Sequence, residues 1–180
     1  MRRRELAGLT LAAGLAPMLA RAQEAEERLV LDLKDGPVTI QLLPAVAPKH
    51  VERIKVLTRR GFYDGTPFHR VIEGFMAQGG DPTGTGTGGS DLPNLPAEFT
   101  DRYRFVRGIC GMARTADPNS ANSQFFIMFG PAPSLDRKYT IWGRVISGME
   151  AVDKIKRGDP ARNGIVQGPD KLIRARIVSA

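Results

Sequence analysis

Residues 68–81 read Phe-His-Arg-Val-Ile-Glu-Gly-Phe-Met-Ala-Gln-Gly-Gly-Asp, and this stretch carries the strongest structural signal in the chain. Its apolar and polar residues alternate, which is typical of a β-strand with one face turned toward apolar surroundings. In such a strand, Arg70 would share one space with nearby phenylalanine and methionine side chains. Because a permanent cation beside apolar walls is uncommon in a protein core, the stretch predicts a functional site.

The segments around this stretch predict short strands and two helices. Residues 29–34 and 38–43 alternate on either side of an Asp-Gly pair, which is a strong hairpin signal. Residues 46–60 place apolar side chains on one helical face and end before Gly61, a residue that favours helix C-termini. Further strands are predicted at 68–71, 75–78, 109–114, 124–128, 141–145 and 171–178, and a second helix at 149–156. The pattern therefore predicts a mainly β, mostly antiparallel domain.

A second motif occurs at residues 122–127, which read Asn-Ser-Gln-Phe-Phe-Ile. Together with residues 68–81, and in the same order, it resembles the two signatures of cyclophilin-type peptidyl-prolyl isomerases. The resemblance extends from about Leu29 to the C-terminus. It implies a closed eight-stranded antiparallel β-barrel capped by two α-helices, and an enzyme that accelerates rotation about X-Pro bonds without a cofactor or metal.

The resemblance also assigns site residues, position by position. Arg70 matches the catalytic arginine of the family, and Gln78 has the donor and acceptor needed to orient it. Phe75 and Met76 are consecutive, so one of them needs a bulge or a strand end to reach the same pocket. The positions that match the family's substrate-binding residues are Phe75, Met76, Gly86, Ala113, Arg114, Gln124, Phe126, Leu135 and Tyr139.

Three positions depart from the common family pattern. Arg114 stands where the family usually has asparagine, a change expected to alter substrate preference and not catalysis if the family contact is made by the main chain. Tyr139 replaces a histidine of many members but keeps a ring with a polar tip. Ser134 replaces a tryptophan, so cyclosporin-type macrocycles are expected to bind less well.

Two other functions are compatible with parts of the sequence. The same barrel could bind proline peptides as a chaperone or scaffold without useful turnover. The glycine-rich loop 83–89 could instead hold a phosphate, but it lacks the Lys-Ser/Thr of a P-loop and does not clearly open a helix. No Cys, His and acidic residues cluster at metal-ligand spacing. His50 and His69 are predicted to be structural, with His69 on the face opposite Arg70.

The N-terminus predicts export. Arginines at 2–4 precede an apolar stretch at 6–20, and Ala-Arg-Ala follows at 20–22. This order is typical of a secretory signal peptide, predicted at 1–22, with the isomerase domain at 23–180. A periplasmic or secreted location is expected, and both Sec-type and twin-arginine export stay open.

Composition sets the remaining expectations. Of 180 residues, 42% are hydrophobic and 25% charged, which fits one globular domain. The net charge of +7 includes the arginines of the predicted signal, and no basic block backed by aromatic residues suggests nucleic acid. The single cysteine, Cys110, lies in an apolar run and is predicted to be buried. Expected partners are proline-containing peptides and unfolded or partly folded proteins, with no membrane contact after cleavage and a monomeric chain.

Overall fold

The computed structural model describes residues 26–180, so the predicted signal peptide at 1–22 lies outside the described residues. Eight strands and two α-helices make up the domain, and two short 3₁₀ turns occur at Pro133–Leu135 and Pro160–Arg162. The strands are β1 (Glu27–Leu33), β2 (Gly36–Leu42), β3 (Arg70–Ile72), β4 (Met76–Gly79), β5 (Ile109–Met112), β6 (Phe125–Met128), β7 (Ile141–Ser147) and β8 (Arg174–Ser179). The helices are α1 (Pro48–Arg59) and α2 (Met149–Asp153). The mainly β prediction with two helices is confirmed.

The sheet is open, and the prediction of a closed barrel is wrong. The strand order is β3-β4-β6-β5-β7-β2-β1-β8, and all neighbours are antiparallel, so β3 and β8 are its two edges. The outer edge of β3 pairs with a loop instead of β8: Val71 N donates to Gly164 O at 2.8 Å, and Gly158 N donates to Val71 O at 2.8 Å. Because this loop satisfies the free main-chain groups of β3, barrel closure is not needed.

Helix α1 forms where the sequence predicts it. Pro48 occupies the first turn, where its missing N–H costs nothing. The main-chain N–H groups of Lys49 and His50 donate to the Glu98 carboxylate at 3.1 and 3.0 Å. The helix N-terminus is therefore capped by a loop residue distant in sequence, which local pattern could not predict.

The core lies between the sheet and the helices. Trp142, Phe125 and Tyr63 are almost fully buried, and their rings meet edge to face. Cys110 is fully buried and is reduced, which confirms the prediction for it. A second, smaller apolar cluster surrounds Phe126 and Met76, next to the predicted site.

Candidate active site

The predicted site residues meet at one cavity of about 470 Å³ beside strands β3 and β4. Gln124 lines a neighbouring cavity of about 490 Å³, which shares several lining residues with the first. We call the first the proline cavity, after the ligand that the resemblance predicts for it, and the second the adjoining cavity. The predicted residues that line the proline cavity are Arg70, Phe75, Met76, Gln78, Gly86, Ala113, Arg114, Phe126, Leu135 and Tyr139.

Phe75 and Met76 both reach the proline cavity because strand β4 starts between them. Phe75 precedes the strand, in a turn where its N–H donates to Ile72 O at 3.0 Å. Met76 is the first residue of β4 and is buried. The strict alternation of a strand therefore does not apply to this pair, as the sequence required.

Arg70 is held by neutral acceptors. Its Nε and one terminal nitrogen donate to the main-chain oxygen and Oδ1 of Asn163, both at 3.0 Å. The other terminal nitrogen donates to Gln78 Oε1 at 3.1 Å, since the two residues lie opposite each other on β3 and β4. Burial lowers the pKa of Arg70 from its ordinary value, but a guanidinium stays protonated in proteins. These bonds fix the orientation of the guanidinium without neutralising its charge.

The hydrogen-bond chain continues from Gln78 to the glycine-rich loop. Gln78 Nε2 donates to Gln124 Oε1 at 3.0 Å. Gln124 Nε2 in turn donates to the main-chain oxygens of Gly86 and Gly88 at 3.0 and 2.8 Å. Each amide group is thus engaged on both sides, so neither side chain can flip without losing a bond. These hydrogen bonds connect the position of Arg70 to the conformation of the loop.

Aromatic rings form the apolar wall of the proline cavity. Phe126 stacks on Phe105 with ring centroids 5.7 Å apart, and Tyr139 meets Phe126 edge to face at 6.0 Å. The guanidinium of Arg114 lies over the Tyr139 ring, 4.3 Å from its centroid. Leu135 reaches the cavity from the 3₁₀ turn at Pro133–Leu135. The rings support one another, which fixes the shape of the cavity.

The glycine-rich loop is folded around a buried carboxylate. Asp81 is fully buried, and its oxygens accept hydrogen bonds from the main-chain N–H groups of Thr83, Gly86 and Gly88 at 2.8, 2.7 and 3.1 Å. A Cβ atom on Gly88 would lie 2.0 Å from Asp81 Oδ1, so only glycine fits there. Because these N–H groups already serve an internal anion, the loop is not a phosphate cradle, and the nucleotide alternative is disfavoured.

Two further residues at the cavity escaped the sequence-based predictions. His69 lines the proline cavity together with Arg70, and it precedes β3, so the strand alternation on which its predicted opposite orientation rested does not apply to it. Burial lowers the pKa of His69, although the nearby Asp81 charge opposes this shift. Asn163 was also missed. Its position before Gly164, and its φ of 55°, are typical of a turn and gave no signal of a role at the site.

Two other properties bear on function. Among residues 26–180, no group of three or more His, Cys, Asp or Glu side chains could hold a metal ion. In the same part of the chain, the helices are too short or too polar to cross a membrane.

Comparison with known proteins identifies the class. Residues 28–177 match the family model described as cyclophilin type peptidyl-prolyl cis-trans isomerase/CLD. The chain therefore belongs to this family and is a peptidyl-prolyl cis-trans isomerase.

Individual relatives agree with this assignment. A probable peptidyl-prolyl cis-trans isomerase of Brucella suis is 54% identical over 173 residues, which cover 90% of this chain and 88% of the relative. The peptidyl-prolyl cis-trans isomerase-like 1 of Gibberella zeae is 42% identical over 158 residues, 83% of this chain and 94% of that protein. A Cryptosporidium parvum cyclophilin-type isomerase, crystallised in the presence of the dipeptide Ala-Pro, has a TM-score of 0.77 at 30% identity, covering 85% of this chain and 99% of that one.

Proposed function

We propose that Arg70 is the catalytic donor of this isomerase and that Gln78 orients it. The observation that carries the proposal is a guanidinium held at the wall of an aromatic cavity by neutral acceptors alone. Three of its N–H groups are engaged by Gln78 and Asn163, and no other hydrogen bond to it forms among residues 26–180. The remaining N–H groups can serve a bound substrate.

The chemistry of the bond explains why a cation and apolar walls belong together. Rotation about a peptide bond must break amide conjugation, at a barrier of about 18–20 kcal/mol. Twisting localises the lone pair on the prolyl nitrogen, so a donor aimed at that nitrogen stabilises the twisted amide. The twisted amide is also less polar than the planar one, so an apolar cavity favours it.

The size of each contribution limits what Arg70 can do alone. A hydrogen bond to a charged group contributes about 1.5–3 kcal/mol, and every ~1.36 kcal/mol is tenfold in rate. One such bond explains at most about a hundredfold in rate. We assign the remainder to selective binding of the twisted amide by Phe75, Met76, Phe126, Leu135 and Tyr139.

We further infer that the substrates are proline-containing segments of unfolded or partly folded proteins outside the cytoplasm. The signal-like N-terminal sequence supports a periplasmic or secreted location. The cavity supports the substrate class because its walls suit a small apolar ring and its polar groups suit a main chain. In this role the enzyme assists the folding of exported proteins, whose X-Pro bonds isomerise in about tens to hundreds of seconds without a catalyst.

Exchange spectroscopy by NMR on an Ala-Pro peptide tests the activity directly. We expect catalytic amounts of the protein to accelerate cis-trans exchange. Peptide binding with unchanged exchange would overturn the catalytic role and favour the binding-module alternative.

N-terminal sequencing of the protein from a fractionated native host tests the location. We expect a mature chain that starts at or near Gln23 in the periplasmic or secreted fraction. An unprocessed chain in the cytoplasm would overturn the role in folding exported proteins and would leave the isomerase activity untouched.

A further inference from the structure

The walls of both cavities carry positive charge. Within residues 26–180, neither the proline cavity nor the adjoining cavity is lined by an Asp or Glu residue. Arg70 lines the first, and Arg114 lines both. Neither arginine takes part in an ion pair among residues 26–180. A substrate in the cleft therefore meets two cations whose charge the protein leaves uncompensated.

Arg114 is fixed at the junction of the two cavities. Its Nε and one terminal nitrogen donate to the main-chain oxygen of Lys138 at 3.1 and 2.6 Å. Its other terminal nitrogen donates to Thr115 O at 2.9 Å, and its plane lies over the Tyr139 ring. Carbonyl groups and an aromatic face hold the guanidinium, and none of them carries a full negative charge. The position of the cation is thus defined before any substrate arrives.

Asp81, the acidic residue beneath the glycine-rich loop, does not offset this charge at the surface of the cleft. It is fully buried, and its oxygens are engaged by Thr83, Gly86 and Gly88. Lys138, whose main-chain oxygen holds Arg114, adds no negative charge of its own.

We propose that Arg114 makes this isomerase prefer X-Pro segments that carry an aspartate or glutamate close to the proline. The proposal rests on the proposed function, because it requires proline to occupy the proline cavity. Since an extended chain advances about 3.3–3.6 Å per residue, a carboxylate within about two residues of the proline stays close to Arg114. A lysine at the same position meets a like charge and is disfavoured.

The bonding of Arg114 indicates how the preference works. Most of its N–H groups are engaged by carbonyls. Arg114 therefore acts on the substrate through its charge more than through a two-pronged hydrogen bond. Charge, unlike geometry, is retained by lysine and screened by salt. For Arg70, by contrast, the proposed role needs a hydrogen-bond donor at one defined atom, the prolyl nitrogen, so charge alone does not suffice there.

The test compares peptides that differ only in one residue beside the proline. Values of kcat/KM are measured for Glu, Gln and Lys, placed in turn at the two positions before the proline and the one after it. We expect Glu to exceed Gln by about two- to fivefold at the best position in low salt, the range of a partly exposed ion pair. The advantage should vanish at about 1 M salt, where the screening length is about 3 Å.

Substitutions at Arg114 then assign the effect. Arg114→Gln should lower the Glu-to-Gln ratio to near one, Arg114→Lys should keep most of it, and Arg114→Glu should favour Lys peptides. Arg174→Gln, on the exposed edge strand β8 outside both cavities, removes the same net charge and should leave the ratio unchanged. Equal rates for the Glu and Gln peptides, or a preference that persists in Arg114→Gln, would overturn the proposal. Absent turnover of every peptide would overturn the proposed function instead.

Discussion

At the scale of single residues, the site is built around a guanidinium that two neutral side chains hold in place. Gln78 and Asn163 accept from Arg70, and in the described part of the chain, residues 26–180, no carboxylate lines the proline cavity. A carboxylate partner would orient the arginine as well, but it would compete with the prolyl nitrogen for the positive charge. Neutral acceptors therefore suit a donor that must act on a weak base.

Arg70→Ala should lower the isomerisation rate by about two orders of magnitude, because it deletes a charge-assisted hydrogen bond to the twisted amide. Arg70→Lys should also be poor, since an ammonium cannot bond to Gln78 and Asn163 in the same planar arrangement. NMR exchange rates on an Ala-Pro peptide measure both effects. Thermal melting serves as the control, and near-normal turnover by a folded Arg70→Ala protein would exclude the proposed role.

Asn163 offers a matched pair of variants, because its main chain is left-handed, with φ at 55°. Asn163→Gly and Asn163→Ala both remove Oδ1 from Arg70 and leave the main-chain bond intact. We expect both to lower kcat by about five- to tenfold, the worth of one hydrogen bond. Only Asn163→Ala should lower the melting temperature, since the left-handed conformation costs alanine about 1–2 kcal/mol of conformational energy. If activity followed stability across the pair, the positioning role would be wrong.

At the scale of elements, the glycine-rich loop owes its shape to Asp81. Burial alone would raise the pKa of this carboxyl, but hydrogen bonds from Thr83, Gly88 and Gly86 outweigh burial and lower it below the ordinary value of 3.8. The stabilisation is therefore fully present above pH 3.8 and is lost as the pH falls through the lower folded pKa. Acid should loosen this loop through protonation of one side chain.

Asp81→Asn should destabilise the protein by about 1–3 kcal/mol, because a buried carboxylate with several donors is replaced by a group with one acceptor. Denaturant unfolding measures the loss, and amide exchange at Gly86 and Gly88 locates it. Asp91→Asn, an exposed change in the same segment, is the control and should stay within about 0.5 kcal/mol. Unchanged exchange at the two glycines would show that Asp81 does not hold the loop.

The 3₁₀ turn at Pro133–Leu135 gives a second prediction at this scale. It places Leu135 in the proline cavity and leaves Ser134 exposed. We expect Ser134→Trp to tighten cyclosporin binding, because an indole adds apolar area and an N–H donor at the rim. Calorimetric titration of both proteins measures this, with the Ala-Pro exchange rate as the control. Equal affinities would mean that residue 134 does not border the macrocycle.

At the scale of the whole molecule, no disulfide bond holds the open sheet together in residues 26–180. Cys110 lies in the core, and burial raises the pKa of its thiol. We expect Ellman's reagent to label the protein only after denaturant unfolds it, and reductant to leave the melting temperature unchanged. Rapid labelling of the native protein would show that the core around β5 opens readily.

Local sequence determined the elements whose causes are local. The hairpin β1–β2 follows from alternation around an Asp-Gly turn, and α1 from its apolar face, Pro48 and the glycine after it. The two motifs contain five of the predicted residues that line the proline cavity, and the family resemblance that they carry predicted five more outside them. The hairpin and the helix need only contacts between residues that are close in sequence.

Tertiary structure decided what depends on contacts between distant segments. Asn163 accepts hydrogen bonds from Arg70, which is 93 positions away in the sequence. Glu98 caps helix α1 at His50, 48 positions away. The barrel stays open because a loop, and not β8, satisfies the outer edge of β3. His69 lies outside strand alternation because β3 starts two residues later than the pattern implied. In the first three cases a polar group found its partner only when the fold brought distant segments together, and the local pattern of neither segment carries that information.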